Sequence, residues 1–146
     1  MQKIAAILVV QCLLFACSSR EKEVEQAMHD YDRFIFQMAS DSIANCFAAT
    51  GQLGGVGSPL ITGRDSIRIF LRNFDASSIR MISNQSKIKS ISFHRDTAVM
   101  EGRYEQKAEV NGKPGVYTGD FQSKWLQDNT GRWLLQWMFT VPDKKN

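Results

Sequence analysis

Cysteine is scarce in this 146-residue chain, with three residues at positions 12, 17 and 46, and that scarcity excludes a disulfide-stapled scaffold. Histidine is scarcer still: His29 and His94 are the only two, too few for a histidine-rich metal centre. The most apolar stretch, Ile4 to Cys17, covers fourteen residues, whereas a membrane-spanning helix needs about 20. A phosphate-binding glycine loop is also missing. "GQLGGVGSP", residues 51–59, is glycine-rich but fits neither the P-loop nor the dinucleotide spacing. The 18 basic residues are dispersed among 15 acidic ones, so a net charge of +3 leaves no nucleic-acid footprint, and the late "KK" reads as solvated tail. No internal repeat or low-complexity segment is present.

What is present begins with the N-terminus. Lys3, a short apolar core and a small residue at its end form the pattern of a secretory signal. The end of that run, "LFAC", resembles the lipobox of bacterial lipoproteins, with Phe15 bulkier than many members use there. The resemblance implies cleavage after Ala16, loss of Cys12 with the peptide, and acylation of Cys17 as the lipid attachment. The expected layout is then a signal peptide at 1–16, a lipidated cysteine and polar linker at 17–23, one domain at 24–142 and a polar tail at 143–146. It implies a location in the bacterial cell envelope, anchored to a membrane and facing the periplasm or the exterior. A mature chain of 130 residues suits one domain with its own core. Cys46 reads as a small buried hydrophobe rather than a catalytic thiol.

Helical spacing comes first in the domain. Val24, Ala27, Met28, Tyr31, Phe34, Ile35 and Met38 share one stripe, with His29, Asp30, Asp32, Arg33 and Gln37 on the other faces. "SDSIANCFA" reads as a short second helix capped by Ser40 or Asp41. "GRDSIRIFLRNF" reads as a third helix, with Ile67, Phe70, Leu71 and Phe74 inward and Asp75 closing it. From Ile79 the pattern turns to strands, with a hairpin at Asn111-Gly112 and a second turn in "QDNTGRW". Pairing Val110 with Lys113 and Trp125 with Trp133 sorts the side chains. One face takes Ala98, Met100, Gly102, Tyr104, Gln106, Tyr117, Gly119, Phe121, Ser123, Trp125, Trp133, Leu135, Trp137 and Phe139. The other takes the charges, including Arg103 against Asp120. A one-residue slip would mix the two. The expected fold is α+β, with three N-terminal helices packed on a curved antiparallel sheet.

This order of elements resembles the nuclear transport factor 2-like superfamily, also called SnoaL-like or cystatin-like. The resemblance is carried by "GRDSIRIFL", "TAVMEGRYE", the "NGK" turn, "FQSKWLQDNTGRW" and a last strand ending at "TVP". It implies a cone: a curved sheet wrapping the first helix, with a pocket at the wide end. Members include ketosteroid isomerases, polyketide cyclases and dehydratases, so the fold leaves function open. An overlay places Tyr31 where isomerases keep an oxyanion donor. Their catalytic base falls on Gly54 or Gly55 and their second acid near Phe121 or Ser123, so both acidic positions are empty. His29 and His94 are expected in solvent. The expected pocket comprises Tyr31, Met38, Met100, Tyr104, Gln106, Tyr117, Phe121, Ser123, Trp125 and Trp137, with no catalytic residue, metal or cofactor assigned. Neutral hydrogen-bonding groups among aromatics suit a small, largely apolar ligand, and the tryptophans either line the concavity or fill it. The expectation is an anchored domain that binds such a ligand or a protein partner without catalysis; the alternative is an enzyme of the isomerase, cyclase or dehydratase type. A homodimer through the outer sheet face is a further expectation.

Overall fold

In the computed structural model, residues 2–73 and 78–144 are described, with side chains from Ser19 onward. Phe74 and Asp75 lie outside the described residues. The chain forms α1 (Gln2–Phe36), α2 (Ser40–Asn45), β1 (Phe47–Gly55), β2 (Ser58–Thr62), α3 (Arg64–Arg72), β3 (Ile79–His94), β4 (Thr97–Val110), β5 (Lys113–Gln127) and β6 (Trp133–Pro142). Among the described residues no helix is long and apolar enough to cross a membrane.

The stripe on α1 does what its spacing dictates. Val24, Met28 and Tyr31 are buried against the sheet. The Tyr31 ring meets Phe47 edge-on, 6.1 Å between centroids. The helix ends at Phe36 and is closed by Met38, which takes a left-handed backbone with φ 53°. The Met38 N–H then donates to Ile35 O and the Ala39 N–H to Phe34 O, both at 3.0 Å. That pair of bonds is a Schellman closure. The second helix is shorter than the sequence suggests: it ends at Asn45, and Phe47 begins β1 instead of ending a helix. Its N-cap is Ala39, with no side-chain cap bond. Asp41 is therefore not a cap; its carboxylate pairs with Arg72 at 2.6 Å and Arg68 at 3.4 Å.

The six strands run in the order β2-β1-β6-β5-β4-β3. All neighbours are antiparallel except β1 and β6, which are parallel. Asn111 and Gly112 both have positive φ, 51° and 76°, as a two-residue hairpin of the right twist requires. This fixes Val110 opposite Lys113, and with it Tyr104 opposite Gly119 and Gly102 opposite Phe121. Both glycines are needed. A Cβ on Gly102 would lie 2.4 Å from Lys87 O and 2.6 Å from the Phe121 ring, and one on Gly119 would lie 2.7 Å from the Tyr104 hydroxyl.

The β5–β6 pairing departs from the expected register. Trp125 faces Leu135, and Gln127, not Trp125, faces Trp133. The two-residue difference keeps Trp133 and Leu135 inward, where both are buried. Then Lys124 pairs with Trp137 while Trp125 pairs with Leu135, so Gln136 is one residue too many on β6. Such a bulge reverses every later side chain. Met138 turns inward and is buried, while Trp137 and Phe139 move to the outer face, with Phe139 40% exposed.

Candidate ligand-binding cavity

The bend of the sheet and the C-terminal half of α1 enclose a cavity of about 330 Å³. Met28, Tyr31 and Ile35 from α1, Leu53 and Gly54 from β1, Phe70 and Leu71 from α3, Phe121 from β5 and Met138 from β6 supply most of its wall. Ser58 and Pro59 stand at its rim. Polar groups converge on one side: Asp32, Asn84, Ser86, Tyr104 and Gln106.

The centre of that polar side is Asp32. Its Oδ1 accepts hydrogen bonds from Ser86 Oγ at 2.8 Å and Asn84 Nδ2 at 3.0 Å, and its Oδ2 accepts from the Ser86 N–H at 3.1 Å. Asn84 Oδ1 in turn accepts from Gln106 Nε2 at 2.9 Å. The network ties α1 to β3 and β4 across the mouth of the sheet. Burial raises the Asp32 carboxyl above the ordinary carboxylate range, and the bonds from Ser86 and Asn84 offset that only in part. Tyr31 is pushed well above the usual phenol range, chiefly by burial. Asp32, Asn84, Ser86 and Tyr104 also form one wall of an outer groove where His29, Arg33, Lys87 and Arg103 are found. Asp32 therefore stands between an apolar chamber and a charged surface.

Among the residues expected at the pocket, Tyr31, Tyr104, Gln106 and Phe121 line the cavity. Met100, Ser123 and Trp125 are fully buried in the core instead, and Ser123 Oγ accepts a bond from Trp125 Nε1 at 3.0 Å. Met38 closes α1 and does not line the cavity. Tyr117 folds over Gly115, and Trp137 lies on the outer face; neither reaches the cavity. Of the positions matching the isomerase acids, Gly54 and Phe121 do line it. His29 and His94 are exposed. Asp32, Asn84, Ser86 and Met138 were not foreseen. Asp32 lay beside the apolar stripe, and its signal was adjacency to Tyr31, the central stripe residue. Asn84 and Ser86 alternate in "SNQS", polar residues on the helix-facing side of a strand.

A second concavity of about 740 Å³ lies towards the other end of α1, among Lys22, Gln26, Cys46, Trp125, Arg132 and Trp133. Cys46 Sγ donates to Ser42 O at 3.4 Å, and burial pushes its thiol up to about 11, away from nucleophilic character. Among the described residues no cluster of three or more His, Cys, Asp or Glu could hold a metal ion.

No family model matches the chain, and no curated protein matches it. Solved structures do. An NTF2-like protein with a cystatin-like fold from Novosphingobium aromaticivorans superposes with a TM-score of 0.77 at 13% identity, covering 93% of this chain and 90% of its own. A ketosteroid isomerase-like protein from Erwinia carotovora atroseptica gives 0.70 at 16%, covering 85% and 96%. A Catenulispora acidiphila protein in complex with S-DNPA gives 0.71 at 13%, covering 86% and 95%. At these identities the likeness concerns the backbone: the chain has the cystatin-like fold of nuclear transport factor 2-like proteins, a curved and mostly antiparallel sheet closed over N-terminal helices.

Proposed function

We propose that this protein is a lipid-anchored domain of the bacterial cell envelope whose cavity binds a small, largely apolar molecule. The observation that carries the reading is the cavity: Met28, Ile35, Leu53, Phe121 and Met138 offer an apolar body, and the Asp32–Asn84–Gln106 network offers polar groups on one side. Apolar walls with a few convergent polar groups are the usual make-up of a small-molecule site. The Catenulispora protein of the same fold, bound to S-DNPA, lends support. The anchor rests on "LFAC", with acylation of Cys17 after removal of residues 1–16. Pairing of two copies through the outer sheet face is part of the proposal. The bulge at Gln136 leaves Phe139 and Val141 exposed there, beside Leu60, which lies against Gly54 and hence near Phe139. Arg103, Asp120 and Lys89 border that strip with paired charge.

Asp32 favours a second reading, the enzyme. A carboxyl with its affinity for protons raised, placed on the cavity wall next to a buried tyrosine, has the make-up of a general base. It sits on α1 rather than at the empty isomerase positions Gly54 and Phe121. The test is native mass spectrometry of the domain taken from its own envelope, wild type and Asp32→Asn. A reproducible retained mass, held by both forms, supports binding. A mass that the variant replaces by a different, chemically related one supports turnover at Asp32, whereas a mass merely weakened in the variant supports binding. No retained mass in either form counts against a stable ligand.

A further inference from the structure

The segment between Cys17 and the domain was expected to be a polar linker, yet it continues α1, and although most of its side chains are exposed, Arg20 is half-buried against the sheet. Arg20 donates from its guanidinium to Arg95 O, and its Cζ lies 5.2 Å from the Phe93 ring and 5.5 Å from the Trp133 ring. Three residues on, Glu23 accepts from Gln127 Nε2 at 3.5 Å. These contacts fasten the start of the packed helix to the β3–β4 turn at 95–96 and to the β5–β6 turn at 128–132. The ligand cavity is at the opposite end, against Tyr31 to Ile35 and the far halves of β3 and β4.

We infer that the end of the domain formed by Arg20 and these two turns rests on the lipid headgroups, so that the ligand cavity opens away from the membrane. The inference rests on the reading of Cys17 as the lipidated residue. Three residue steps separate Cys17 from Arg20, about 4.5 Å in a helix and at most about 11 Å fully extended. The headgroup zone is about 5–8 Å deep on each side of the hydrocarbon core. A glyceride on Cys17 therefore holds Arg20, and the turns bound to it, within the headgroup zone when residues 17–20 are helical, and within a few ångströms of it even when they are extended. From Arg20 to Tyr31 the helix climbs about 16 Å, at 1.5 Å per residue. From Thr97 to Gln106 the strand covers about 30 Å. The two concavities then meet different phases: the one beside Trp133 faces lipid, and the one beside Asp32 faces water. The ligand of the Asp32 cavity is accordingly a molecule that arrives dissolved, not one drawn sideways from the bilayer.

The test uses the full-length, processed protein in vesicles of phosphatidylethanolamine and phosphatidylglycerol carrying a nitroxide on the headgroup. In a Cys46→Ser background, a fluorophore is attached at Asp96→Cys on the β3–β4 turn, at Ser58→Cys on the cavity rim, or at Lys113→Cys on the β4–β5 turn. The inference expects severalfold stronger quenching at 96 than at 58 and 113, and loss of that excess when ten flexible residues are inserted after Ser18. Weak quenching at all three positions means the domain swings free and overturns the inference. Equal, strong quenching at all three means it lies on its side and also overturns it. Intact mass and vesicle flotation are measured on the same samples. A protein without the diacylglyceryl mass refutes the lipidation itself; a lipidated protein with no gradient refutes only the orientation.

Discussion

Replacing Asp32 by asparagine sets two terms against each other. The side chain stays the same size, and its oxygen still accepts from Ser86 Oγ and Asn84 Nδ2. Its new NH2 group faces the Ser86 N–H, which loses its acceptor. A buried donor left unpaired costs about 1–3 kcal/mol. Against this, the variant no longer buries a charge. Because burial holds the native pKa above that of the unfolded chain, the folded protein binds the proton more tightly than the unfolded one. Stability from this group is therefore full below the unfolded pKa, falls as pH rises, and stops falling above the native pKa. The steepest possible fall is about 1.4 kcal/mol per pH unit. Asp32→Asn lacks that component. At pH 4 the variant should be less stable than wild type by about 1–3 kcal/mol, and the gap should close or reverse by pH 7. Urea melts of the soluble domain from Ser19 onward, taken at half-unit steps of pH, give the difference directly. A gap that is flat, or that widens as pH rises, would mean that the three hydrogen bonds outweigh burial, and the reasoning fails.

Cys17→Ala should move the protein from the membrane to the soluble fraction of cells, read by fractionation and loss of acyl labelling. Gly102→Ala forces a Cβ against Lys87 O and the Phe121 ring and should cost about 1–3 kcal/mol, seen as a thermal midpoint lowered by several degrees. If two copies pair through the outer sheet face as proposed, Phe139→Lys should convert them to monomers in sedimentation velocity with little loss of stability, since the ring is 40% exposed in the single chain. Met138→Ala should cost about 2–5 kcal/mol and enlarge the ligand cavity, so that a bulkier apolar probe gains affinity relative to a small one in fluorescence titrations.

How much of this was legible in the sequence depended on whether the signal was local. The β4–β5 register followed from Asn111-Gly112 and from the sorting of aromatics and charges to opposite faces, because a two-residue turn of positive φ fixes the pairing of the strands beside it. The α1 stripe was equally plain, since its period needs no partner to be seen. The bulge at Gln136 was not. "WLLQWMF" alternates no better in one register than the other, and what selects the reversal is the fit of Met138 beside the cavity and of Phe139 beside Gly54 on the outer face. That fit depends on β1, which pairs with β6 from far along the chain. The end of α2 was missed for the same reason: Phe47 is drawn into β1 by β6 and by Tyr31, not by its neighbours.

Asp32 was hidden by a rule that is sound on average. A charged residue next to an apolar stripe belongs in water, and a fold built only for stability would keep it there. Here the bend of β3 brings Asn84 and Ser86 over that side of the helix, so the carboxylate is wrapped instead of solvated. The wrapping is incomplete, since burial still outweighs the bonds. An asparagine would bridge α1 to β3 without burying a charge, at the loss of the bond from the Ser86 N–H, whereas a carboxylate keeps that bond and adds a negative charge and a proton site at the cavity wall. A local cost of this kind concentrates where a protein meets its ligand. Asp32 is thus the residue at which binding and turnover part. If the ligand merely rests against Asn84, Gln106 and Tyr104, Asp32→Asn leaves its affinity unchanged across pH. A ligand that exchanges a proton with the cavity loses its pH dependence in that variant, and titrations at pH 5 and pH 8 read the difference.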